Sequence, residues 1–166
     1  MSWKLKPIAP EAVPAALDRA HHYRLLNEPS QAASICQDVL AVDPANQQAL
    51  ITLALAMTDQ FGRGVSVKEA REVVARLSGD YDRAYYSGIV SERAARWQLR
   101  QGAPGARFDA HELFVDAMTR YERAESIRPA GNDDAILRWN TCARYLMRHP
   151  EIAPRMDEAL EPILSE

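Results

Sequence analysis

Apolar residues recur along most of the chain at three- and four-residue steps, the spacing that lines up one face of an α-helix. Short runs of turn formers separate these stretches. The pattern predicts helices near residues 11–27, 30–42, 46–60, 67–78, 80–101, 109–128, 132–148 and 151–164. No segment sustains period-two alternation between turn signals, so no sheet is expected. Ile51, Leu53, Ala54, Leu55 and Met57 are apolar nearly all round, which predicts a helix buried on most sides. Phe61-Gly62-Arg63-Gly64 ends it, because glycines terminate helices and favour turns. Ser66-Val67-Lys68-Glu69 is a capping box opening a helix with Ala70, Val73, Val74 and Leu77 on one face. That helix stops near Ser78-Gly79. Asp109-Ala110-His111-Glu112 offers a second box, and Asn46 and Asn132 are candidate N-caps. Pro29 suits a tight turn between helices. Short loops between paired helices imply antiparallel neighbours.

The pattern also repeats. Ala32, Cys36, Val39 and Pro44 have the same spacing as Ala117, Tyr121, Ala124 and Pro129. Each proline is followed by Ala, a short polar stretch containing Asn, and an apolar helix-like segment. Ala45 to Leu50 thus parallels Ala130 to Ile136, with one inserted glycine. Repeats of this kind signal stacked units, since one helix pair cannot bury its apolar face alone.

Composition narrows the class. The 166 residues fit one domain and can bury a core without disulfides or metal. Hydrophobic residues at 47% and charged residues at 26% are ordinary for a globular chain. A net charge of −3 supplies no broad basic surface for a nucleic-acid backbone. No apolar stretch reaches the length of a membrane span, and the start, Met1-Ser2-Trp3-Lys4-Leu5-Lys6, lacks a secretory apolar run. Two cysteines, Cys36 and Cys142, are too few for a disulfide framework. The expectation is a reduced, soluble, cytoplasmic protein that engages neither nucleic acid nor membrane.

Residues 14–46 resemble a tetratricopeptide repeat. Ala20, Tyr23, Ala32, Val39 and Pro44 stand where that family places small, aromatic, small, small and proline. A second unit, 47–80, carries Leu50, Leu53, Ala54, Met57, Ala70 and Leu77 in the pattern, with a longer turn and no closing proline. A third, 81–131, carries Gly88, Ala117, Ala124 and Pro129, and residues 132–164 resemble a degenerate capping pair. The resemblance implies an all-α fold. Antiparallel helix pairs would stack as a short right-handed tetratricopeptide-like superhelix, preceded by an N-terminal arm over residues 1–10. The third pair departs from the family. Its helices, each about 20 residues and so about 30 Å long, meet at Gln101-Gly102-Ala103-Pro104-Gly105-Ala106-Arg107, a tip expected to project beyond the stack.

In the family, the first helix of each pair lines a groove that holds peptides. Carried over, the groove positions are Leu17, His21 and Arg24 in the first unit and Ile51, Leu55, Thr58 and Asp59 in the second. The third contributes Tyr85, Ile89, Glu92, Arg93 and Arg96. An apolar floor with charged edges has the character of a binding site. Alternatively, Leu17, Leu55 and Ile89 are simply core. Leu17 and His21 replace the Lys and Asn with which some members clasp a chaperone's terminal carboxylate, so that specificity is not expected. Arg93, Arg96 and Arg100 share one helix face, with Arg107 following in the loop; Glu92, Asp109 and Glu112 are potential partners.

Catalytic signals are thin. His21 and His22 are adjacent and point apart on a helix, and His111 and His149 are isolated. No zinc-binding His-Glu pattern, Cys-x-x-Cys or phosphate loop is present. Cys36 and Cys142 stand in packing contexts. The leading expectation is an adaptor that needs no cofactor and holds another protein's segment. The first alternative is a self-associating or secretion-chaperone-like protein, a homodimer built through the third hairpin or the Trp3 arm. The last is an enzyme using His21 with Asp59 or Glu92.

Overall fold

The computed structural model describes residues 2–156, and its regular structure there is helical. A 3-10 turn at Pro10–Ala12 leads into α1 (Val13–Leu25), and α2 (Pro29–Val42) begins on its proline. Proline costs nothing at a helix start, where its missing N–H would have had no partner. α3 (Gln47–Thr58) is capped by Asn46, whose side chain accepts the Ala49 N–H at 2.9 Å. α4 (Val67–Ala75) carries the full capping box: Ser66 accepts the Glu69 N–H, and Glu69 accepts the Ser66 N–H. α5 (Asp80–Gln101) ends on Gly102, which takes the left-handed backbone at φ 65° that an L side chain resists. α6 (Ala106–Ser126) and α7 (Asp134–Arg148) follow.

Four local expectations need correction. α6 starts at Ala106, directly after left-handed Gly105, so Asp109 lies inside its first turn and caps nothing. Arg107 is accordingly helical and not part of the loop. Before α7, Asn132 accepts the Asp134 N–H at 3.0 Å, but Asp133 holds the capping position. Residues 151–156 form a turn, a bend and irregular backbone where the last helix was expected to begin. Pro154 accounts for this, since it disfavours the helical conformation at Ala153. The remainder of that expected helix lies outside the described residues.

Packing runs between consecutive helices, from α1 on α2 through to α6 on α7. In addition α1 touches α3 and α3 touches α5, so the first helices of successive hairpins lie side by side. The six aligned positions, Ala32, Cys36, Val39, Ala117, Tyr121 and Ala124, are all fully buried. The alanines among them let the helices approach closely. Two apolar clusters result. One gathers α1 to α4 around Leu50, Leu53, Val74 and Leu77; the other gathers α6 and α7 around Phe114, Tyr121 and Cys142. α5 joins them, giving Val90 and Ala94 to the first and Ile89 and Ala95 to the second.

The hairpin tip is not bare. The segment after α7 returns along it, with Ile152 buried in the second cluster. Arg155 pairs with Asp109 at 2.8 Å and its guanidinium lies over Phe108. The long third hairpin therefore carries its own cover of chain near its tip.

Candidate partner-binding face

α1, α3 and α5 are tied together by one polar network. Arg24 at the end of α1 meets Asp59 just past α3, Nε to Oδ2 at 2.6 Å. Arg93 of α5 meets the other oxygen of the same carboxylate and donates to the Thr58 hydroxyl at 2.9 Å. Thr58 is buried, and its hydroxyl donates in turn to the Leu55 carbonyl at 2.7 Å. Burial pulls the Arg93 pKa down from its ordinary value while Asp59 pushes it back up. Guanidinium stays charged throughout the ordinary pH range regardless.

A second carboxylate, Glu92, is 2% exposed and fully engaged. Arg96 reaches one oxygen at 3.2 Å and Arg138 of α7 reaches the other at 3.2 Å. The Tyr121 hydroxyl donates to it at 2.8 Å. A buried carboxylate persists only when paired and hydrogen-bonded in this way. Burial, and then the adjacent Glu92, push the Tyr121 phenol up, so it remains the donor. Arg138 loses hydration on burial, the largest single effect, yet Glu92 and Tyr121 together outweigh it and raise its pKa. The Arg96 guanidinium also lies 4.6 Å from the Tyr145 ring centroid, a cation–π contact that fixes its plane. Each carboxylate of this face is thus shared by two guanidiniums.

The other sequence-assigned positions divide by burial. Leu17 and Ile89 are 7% and 6% exposed and belong to the two apolar clusters. Ile51 and Leu55 are half-buried, each packed against a cluster with part of the side chain outside. His21 is exposed on α1, one turn before Arg24. Tyr85 is half-buried, stacked on Tyr81 with centroids 5.7 Å apart and edge-on to Tyr86 at 5.1 Å. Burial raises the pKa of Tyr85, so its phenol stays neutral.

The structure therefore joins Arg24, Thr58, Asp59 and Arg93 directly, and joins Glu92 to Arg96 one turn along α5. Sequence reasoning missed Arg138. The signal was present: Ala135 and Cys142 lie three and four residues to either side of it, on one face of an apolar helix stripe. A charge on such a stripe needs a buried partner, here Glu92. Of the acidic neighbours proposed for the arginine stripe, Glu92 pairs with Arg96, while Asp109 pairs with Arg155 instead.

Burial pushes the thiols of Cys36 and Cys142 up to about 12, so neither is a ready nucleophile. Among the described residues, no group of three or more His, Cys, Asp or Glu side chains gathers to hold a metal ion. No helix among them is long and apolar enough to cross a membrane. No model of a known protein family matches the chain, and no solved structure matches it significantly.

Proposed function

We propose that the protein is a non-catalytic, tetratricopeptide-like adaptor of the cytoplasm, holding a segment of another protein on the face formed by α1, α3 and α5. The observation that carries this reading is the side-by-side placement of the first helices of successive hairpins. Their shared face mixes half-buried apolar groups with oriented charges, the composition that favours burial with specificity. Chemistry has no obvious place there, because the buried carboxylate is saturated by two guanidiniums and a phenol. A reducing compartment suits two buried free cysteines placed in separate clusters.

Selection from a random-peptide display library tests the reading. The wild type is expected to enrich peptides sharing a motif, and a His21→Glu/Leu55→Ala variant, shown by circular dichroism to stay helical, is expected to lose them. No enrichment over blank resin contradicts the adaptor reading. Equal enrichment by both proteins removes the α1–α3–α5 face from it.

Self-association is the second reading, and one observation favours it. Trp3 and Leu5 on the N-terminal arm are 87% and 84% exposed, an unusual display of large apolar groups. Light scattering across a concentration series separates the readings, since a monomer at all concentrations excludes this one.

A further inference from the structure

We infer that the polar cavity at the Arg93–Arg100 end of this face recognises an acidic side chain, aspartate or glutamate, on the partner segment. The inference rests on the adaptor reading above and adds the chemistry of the partner. The cavity, of about 340 Å³, is lined by Asn27, Thr58, Asp59, Arg93, Arg96 and Arg100. Among the described residues its charge is not balanced locally. Arg24 and Arg93 share Asp59, and Arg96 and Arg138 share Glu92. Arg100 enters neither pair, and it is exposed at the cavity's edge. A chain whose net charge is −3 therefore concentrates surplus positive charge in one recess. Protein walls around such a recess focus its field on an entering anion.

Carboxylate is the fitting anion. Guanidinium offers a planar fork of donors matched to two carboxylate oxygens. Two of these guanidiniums are already oriented, Arg93 by Thr58 and Asp59, and Arg96 by Glu92 and the Tyr145 ring, and each has N–H donors beyond those bonds. Little side-chain freedom is then lost on binding. Other occupants fit less well. This chain's own arm, or that of a second copy, brings Lys4 and Lys6, which the recess repels. A nucleic-acid backbone needs a long row of cations, whereas here Asp59 interrupts a short one.

Fluorescence anisotropy decides the matter with a labelled peptide of alternating Ala and Glu, its ends blocked, and a matching Ala/Gln peptide. The wild type is expected to bind the Glu peptide and to hold the Gln peptide about tenfold less tightly, with the preference fading as salt rises. Arg100→Glu is expected to weaken the Glu peptide about tenfold. Arg148→Glu, the same charge change on an exposed residue at the end of α7, is expected to leave it nearly unchanged. Thermal melts of both variants confirm that they fold. Equal weakening by the two variants overturns the inference, since net charge alone would then explain binding. Equal binding of the two peptides overturns acid recognition while leaving the adaptor reading standing. Failure to bind either peptide also overturns it, and the adaptor reading then stands or falls on the library selection alone.

Discussion

At Gly88 the backbone of α5 lies directly against the Tyr121 ring of α6. A methyl group built on it would lie 2.5 Å from Cε1 of Tyr121, a ring with no free space to retreat into. Overpacking of this kind costs about 1–3 kcal/mol, and the better helix propensity of alanine returns only part of that. Gly88→Ala is therefore expected to lower the urea midpoint by the equivalent of about 1–2 kcal/mol with an unchanged slope. An unchanged or raised midpoint would show that the helices can separate freely. Sequence pattern singled out Gly88 through the resemblance of its unit to a repeat, and Tyr121 through its alignment with Cys36. It could not show that the Tyr121 hydroxyl reaches Glu92, since that bond spans two helices and depends on how they cross. Leu17 and Ile89 illustrate the opposite limit. Their register puts them on the inner face of their helices, but only the neighbours decide how much of that face stays open.

At the scale of the element, local chemistry fixed what it could reach. Asn46 and Ser66 cap α3 and α4 because each side chain meets an N–H three residues on, a bond written entirely within one turn. Ser66→Ala is expected to lower the thermal midpoint by about 2–4 °C. The capping box also predicts a pH dependence. Its hydrogen bonds to the Ser66 hydroxyl and N–H hold the Glu69 carboxyl below its usual 4.5. The folded pKa is depressed, so the stabilisation is present above the unfolded value and is lost as pH falls through the folded one. The difference in midpoint between wild type and Ser66→Ala should accordingly shrink on acidification below about pH 4.5, and a constant difference would contradict the pairing. Asp109 misled for a physical reason. Gly105, in the left-handed region at φ 83°, lets the chain turn sharply into α6 one turn earlier than the polar residue suggests. Pro154 was the overlooked breaker in the opposite direction, keeping residues 151–156 out of the helix expected to begin there.

For the molecule as a whole, the order of helices and their consecutive packing were legible, because each follows from an apolar stripe and a short loop. The candidate site was legible in part. Asp59, Arg93 and Arg96 came from repeat register alone, whereas the union of Arg24 with Arg93 on one carboxylate required α1, α3 and α5 to be set side by side. Arg138 came from α7, a helix that register had treated only as a cap. On the proposed function, this joint face receives the partner, rather than the outer helices or the hairpin tip. The most direct test is to follow backbone amide shifts of the isotope-labelled protein by NMR as the Ala/Glu peptide is added. Shifts should concentrate around Arg24, Thr58, Asp59, Arg93 and Arg100. Shifts confined to α2, α4 and the outer side of α6, or to residues 101–108, would contradict it.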